Sequence, residues 1–140
     1  MTYLLDTVMV SEARKPRPDP GVAAWFDQAS SSELYLSVLV LGEIRQGIER
    51  LAPRDPAQAA VYTAFLHELR DTYSDRVLGV DQEVADRWGR INAPAPLPVI
   101  DGLLAATALV HDLVVVTRNT ADIARTPARV LNPFQADASQ

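Results

Sequence analysis

The sequence predicts an α/β domain built on a mainly parallel sheet of four to five strands flanked by helices. Three observations carry this. Short apolar runs alternate along the chain with helix-length amphipathic patterns, the order that βα units produce. The pairs Asp19-Pro20 and Asp55-Pro56 are helix starts, because Asp caps the free N–H groups and Pro fits the first helical position. The segment Val99 to His111 has helical length yet is apolar nearly all round, which implies burial on several sides. At 140 residues the chain suits one domain, here taken as residues 1–135, with a single core.

Element by element, Tyr3-Leu4-Leu5 reads as a buried first strand that stops at Asp6. Val8 to Arg14 suits a short helix. The helix after Asp19 carries Val22, Ala23, Trp25, Phe26 and Ala29. Ser30-Ser31-Ser32 reads as a loop and Leu34 to Ser37 as the second strand. From Val40 to Leu51, the spacing of Val40, Leu41, Ile44, Ile48 and Leu51 is that of a helix with one core face. A long helix follows Asp55-Pro56 and fades near Ser74. Val77 to Val80 is the third strand, and Asp81 caps a helix holding Val84, Ala85, Trp88 and Ile91. The prolines of Ala93 to Pro98 make that stretch a loop. Leu113 to Val116 is the fourth strand, and Val130-Leu131 a short fifth at an edge. The tail, residues 136–140, is expected to lack fixed structure.

Composition narrows the function. Apolar residues make up 48% and charged residues 22%, as in an ordinary soluble domain. With no cysteine, disulfides, thiolate zinc sites and cysteine nucleophiles are excluded. His67 and His111 lie far apart, against a histidine metal pair. The N-terminus has no basic region before its short apolar run, and no stretch is long enough to span a membrane, so a cytoplasmic protein is expected. The net charge of −5 disfavours tight, non-specific nucleic-acid binding through phosphates. It is compatible with a nucleic-acid enzyme whose acids gather around a metal.

In parallel sheets the ligand site lies beyond the carboxyl ends of the strands. Three acids fall where that rule directs attention. Asp6 directly follows the first strand, Glu43 sits on the helix after the second, and Asp101 begins the apolar helix. Each has a bland reading as well: Asp6 and Asp101 as helix caps, Glu43 as a solvated side chain. Glu43 has no basic partner at helical pairing distance, and a carboxylate at the mouth of a buried helix must find a cation, donors or water. After the fourth strand, Thr117 could position a water or a phosphate oxygen, and Asn119 or Asp122 could add an oxygen ligand. Both of the latter also suit a turn. Carboxylates on one rim repel one another unless a hard cation joins them, and a set without histidine or cysteine suits magnesium or manganese. Such sites activate water for in-line phosphoryl displacement, which points to phosphodiester hydrolysis.

Four segments together resemble one family in order and spacing. They are Leu4-Leu5-Asp6-Thr7, Leu41 to Ile48 with Glu43 inside, Val99 to Ala108 with Asp101 and Gly102 inside, and Val116-Thr117-Arg118-Asn119. The chain is similar to PIN-domain ribonucleases, and in particular to VapC or FitB-type toxins of type II toxin–antitoxin pairs. The stretch from Ser11 to Pro16 and the closing Leu131-Asn132-Pro133-Phe134 also look like that branch. The resemblance covers essentially the whole chain. It implies a PIN-like three-layer sandwich and a magnesium- or manganese-dependent endoribonuclease. Asp6, Glu43 and Asp101 would be the acidic metal and catalytic residues, with Asp122 or Asn119 in the fourth position. It also implies a homodimer and a small DNA-binding antitoxin whose tail blocks the site, often with an arginine among the carboxylates.

Two departures from the family pattern stand out. Many relatives carry Asn where this chain has Val8, and the loop Ala93 to Pro98 has no basic residue. Arg14, Lys15, Arg17, Arg45, Arg50 and Arg118 are left as candidates for RNA phosphate contacts, with solvated surface as their plainer role. A haloacid-dehalogenase-type phosphatase would need a second Asp at position 8. A response-regulator receiver would need paired acids after the first strand and a late lysine, whereas the only lysine is Lys15. The remaining alternative is a catalytically weak member of the same family that acts mainly by binding its antitoxin in an autoregulatory complex on DNA.

Overall fold

A computed structural model describes residues 1–135, and the expectation for residues 136–140 lies outside them. The strands are β1 (Tyr3–Leu5), β2 (Leu34–Ser37), β3 (Val77–Leu78), β4 (Val114–Val116) and β5 (Arg129–Leu131). The helices are α1 (Thr7–Ala13), α2 (Pro20–Gln28), α3 (Val38–Leu51), α4 (Pro56–Thr72), α5 (Gln82–Asn92), α6 (Val99–His111) and α7 (Thr120–Ile123). The strands form one sheet in the order β3-β2-β1-β4-β5. Every pairing in it is parallel, so the sheet is wholly rather than mainly parallel among the described residues.

Strand alternation sorts the core into two layers. Leu5 pairs in register with Leu36 and Val116, and these three point to one face. There they meet Met9, Val10, Val22, Val40, Ile44 and Leu66 from α1 to α4. Leu4, opposite Tyr35 and Val115, points to the other face, where α6 and α7 supply Leu104, Ala105, Ala108 and Ile123. With both faces covered, the strands are continuous apolar runs. Burying a side chain such as Leu4 or Leu5 contributes about 1.5–3 kcal/mol.

The caps set several element boundaries. Asp19, Asp55 and Asp81 each accept backbone N–H bonds at the starts of α2, α4 and α5. Helix α3 begins at Val38, two residues earlier than its apolar spacing implies, because Ser37 Oγ accepts from Leu39 N at 3.0 Å. Ser31–Glu33 is a single 3-10 turn rather than a loop. β3 is only two residues long, since it pairs on one side alone and its chain then turns to reach the Asp81 cap. Four-residue α7 is too short to leave a helical period in the sequence. Among the described residues, no helix is long and apolar enough to cross a membrane.

Candidate active site

β1 has β2 on one side and β4 on the other, so the sequence order reverses across it. A reversal of this kind opens a crevice at the carboxyl ends of the strands. Asp6 follows Leu5 at that point and Thr117 follows Val116 beside it, the two strands being in register there. Thr117, only 3% exposed, donates from Oγ1 to Asp6 Oδ2 at 2.5 Å. The other carboxylate oxygen, Oδ1, accepts from Met9 N at 2.9 Å and caps α1. The bland reading of Asp6 as a cap is therefore true, and it uses only one of the two oxygens.

Glu43 lies in the second turn of α3, where Thr7 Oγ1 donates to its Oε1 at 2.5 Å. The first threonine of α1 thus reaches across to fix an acid from a different helix. Asp101 is not a cap. The cap position of α6 belongs to Pro98, which makes no side-chain bond there, and Asp101 stands in the first turn. Its height is set from behind: a Cβ on Gly102 would lie 3.0 Å from Trp88 Nε1, so α6 approaches α5 closely only because residue 102 is glycine. Asp122, in α7, accepts from Asn119 Nδ2 at 3.2 Å, and the Asn119 backbone N–H donates to Thr117 Oγ1 at 3.0 Å. Arg125 stands 4.0 Å from Asp122, a loose and partly exposed pair.

The acids act on one another. Burial pushes the Asp6 carboxyl above its ordinary range, the Thr117 and Met9 donors pull it back, and Glu43 pushes it up again. For Asp101 burial is the largest cause of a raised pKa, followed by the negative fields of Asp122, Glu43 and Asp6. No stabilising donor offsets these causes at Asp101. Asp6 and Asp101, whose charged forms are disfavoured, stand with Glu43 and Asp122 as an all-oxygen donor set suited to a hard divalent cation. Among the described residues, no three acidic or histidine side chains already converge as an ion cage. Glu43 and Asp122 are instead hydrogen-bonded to Thr7 and Asn119.

The sequence pattern of the PIN domain matches residues 3–128. The chain belongs to the PIN-domain family. It is 30% identical over 136 residues to Toxin FitB of Neisseria gonorrhoeae, covering 94% of this chain and 97% of that one. It is 29% identical over 137 residues to VapC ribonuclease Y4jK of Sinorhizobium fredii, again covering 94% and 97%. A solved structure, FitAB bound to an IR36 DNA fragment, superposes with a TM-score of 0.86 at 28% identity, covering 99% of this chain and 100% of that one.

The basic candidates around this PIN site are placed unequally. Arg14 lies over the rings of Tyr62 and Phe65, 4.7 and 4.8 Å from their centroids. Lys15 pairs with Glu12 at 3.0 Å, and Arg45 reaches Glu49 at 3.7 Å. Arg118, next to Thr117 in the chain, is exposed and stacks on Phe134 at 4.8 Å. An apolar cavity of about 420 Å³ opens beside Thr7 and Glu43, with Ile48, Tyr62, Arg50 and Arg54 among its lining. Sequence reasoning did not find the part Thr7 plays. The Asp6-Thr7 pair at a helix start was its only trace, and the partner lies 36 residues away.

Proposed function

We propose that this PIN domain is a magnesium- or manganese-dependent endoribonuclease that serves as the toxin of a toxin–antitoxin pair. The observation that carries the proposal is that Asp101 lies in the fields of Asp122, Glu43 and Asp6, the last of which follows the strand at the switch point. The names of its relatives, a toxin and a ribonuclease, support the same reading.

In this reading Asp6, Glu43 and Asp101 hold the cation, with Asp122 as the fourth acid. When bound, magnesium or manganese supplies electrophilic stabilisation of phosphoryl oxygens and makes a nucleophilic water more acidic. The chain's own residues keep the carboxylates in place. Thr117 holds one oxygen of Asp6 while the start of α1 holds the other. Thr7 fixes Glu43, and Asn119 turns Asp122. Orientation of this kind is what lets a site act without rearranging at the moment of reaction. Arg118, exposed and next to Thr117 in the chain, is the first candidate for an RNA phosphate, with Arg14, Lys15 and Arg45 as secondary contacts.

The natural partners in this reading are a small DNA-binding antitoxin and a second copy of the chain. The cavity beside Thr7 and Glu43 offers an antitoxin tail an apolar floor adjoining Glu43, with Arg50 and Arg54 to meet acidic side chains. The intact set of acids and threonines favours a cutting enzyme over a module that only binds. Expression without the antitoxin tests this. Growth should stop, with new 5′ ends mapped in cellular RNA, and co-expressed antitoxin should restore growth. Arrested growth with no new RNA ends would count against the proposal.

Val8 is 47% exposed at the second position of α1, two residues from Asp6. An asparagine there would be free to add a polar contact at the rim. Val8→Asn is therefore expected to raise the cleavage rate severalfold at unchanged stability, as read by RNA cleavage and thermal melting side by side. An equal or lower rate would show that position 8 does not limit this enzyme.

A further inference from the structure

Residues 132–135, which follow β5, are tied back to the start of α2. Asp19 Oδ1 accepts three backbone N–H bonds, from Gly21 at 2.9 Å, Val22 at 3.1 Å and Gln135 at 2.9 Å. The cap of α2 is therefore also the anchor of the C-terminal segment, and the Gln135 N–H is the largest cause of that carboxyl's lowered pKa. Glycine is needed at position 21 for close approach: a Cβ there would lie 2.2 Å from the Pro133 carbonyl oxygen and 2.8 Å from Gln135 N. Asn132 Oδ1 accepts from Phe134 N at 3.0 Å and turns the segment. Phe134 is thereby carried in against the apolar layer that holds Val10 and Val22.

The Phe134 ring carries the Arg118 guanidinium, 4.8 Å from its centroid. Arg118 is the residue between Thr117, which holds Asp6, and Asn119, which turns Asp122. A long exposed arginine has many rotamers, and stacking on a fixed ring restricts them. We propose that residues 132–135 form a strap that holds Arg118, one residue beyond Thr117 in the chain, as a clamp for an RNA phosphate, with Phe134 as its positioning residue. The proposal rests on the ribonuclease reading of that site. It gives the Asn132-Pro133-Phe134 stretch a task that core filling alone does not require, since the residue stacked on the ring, Arg118, is exposed.

Steady-state cleavage of an RNA oligonucleotide spanning a mapped cut site tests this. Phe134→Leu keeps apolar volume and removes the ring face, and Phe134→Trp restores a face. Gly21→Ala displaces the strap from outside, at a helical position where alanine is favoured. Phe134→Leu and Gly21→Ala should raise KM by about two- to fivefold, the scale of an exposed cation–π contact, with kcat held. Phe134→Trp should match the wild type. Arg118→Ala should raise KM at least as much, and adding Phe134→Leu to it should bring no further loss. If the two substitutions multiply, or Phe134→Leu leaves KM as it was while Arg118→Ala raises it, the strap has no positioning role. If Phe134→Leu lowers kcat and Tm together with no change in KM, the ring is only core. A wild-type protein that cuts no RNA would instead overturn the ribonuclease reading itself, and this inference with it.

Discussion

Asp101→Asn is expected to abolish RNA cleavage and to relieve growth arrest, while making the metal-free protein more stable. The loss should be about 10²–10³-fold or more, the scale set by removing one preorganised electrostatic partner of a charged transition state. The gain in stability follows from the sign of the pKa shift. Asp101 and Asp6 have folded pKa values above 3.8. Between 3.8 and the raised values, the folded chain therefore binds more protons than the unfolded chain. The stability contribution of each rises as the pH falls through that window, and at neutral pH each carboxylate carries an ionisation penalty. Asparagine removes the penalty at position 101 without breaking a hydrogen bond that stabilises the acid. Melting in chelator at pH 7 should show Asp101→Asn above the wild type, with the gap closing toward acid pH. Added manganese should stabilise the wild type more than the variant. A variant that melts lower at pH 7, or stays toxic, would contradict the place given to Asp101.

Thr117→Val should reduce cleavage about 10- to 100-fold, the cost of losing a residue that orients a metal-binding side chain. Valine keeps the shape but lacks the hydroxyl that donates to Asp6 and accepts from Asn119. The half-buried Asp6 would then lose a donor, at a stability cost of about 1–3 kcal/mol. Thr117→Ser keeps the hydroxyl and should retain most of the rate. Single-turnover cleavage at saturating manganese separates these outcomes. If Thr117→Val cuts as fast as Thr117→Ser, the hydroxyl has no orienting role.

Much of this arrangement was legible in the chain. The Asp-Pro starts of α2 and α4 and the apolar length of α6 marked local boundaries that backbone physics fixes, and the structure keeps them. The acids were legible by position: Asp6 follows a strand, Glu43 rides on the next crossover helix, and Asp101 opens the last large helix. What was not legible depends on partners distant in sequence. Thr117 meets Asp6 across 111 residues, and Thr7 meets Glu43 across 36. No local pattern encodes such pairs. Apolar spacing alone placed the start of α3 at Val40 rather than Val38, where the Ser37 cap sets it. The candidate phosphate contacts were ambiguous for the same reason. Arg14 and Arg118 are equally basic in the sequence, but one is laid over two aromatic rings beside a cavity and the other over a single ring next to Thr117.

The claim at the centre of this account is that the carboxylates at the switch point cut RNA through a divalent cation. Single-turnover cleavage by the purified, antitoxin-free chain, titrated with manganese from a chelated start, measures it directly. The account predicts no cleavage in chelator, a rate that rises to saturation with manganese, and no such rise in Asp101→Asn. Cleavage that proceeds equally in chelator, or that rises equally in the variant, would contradict it.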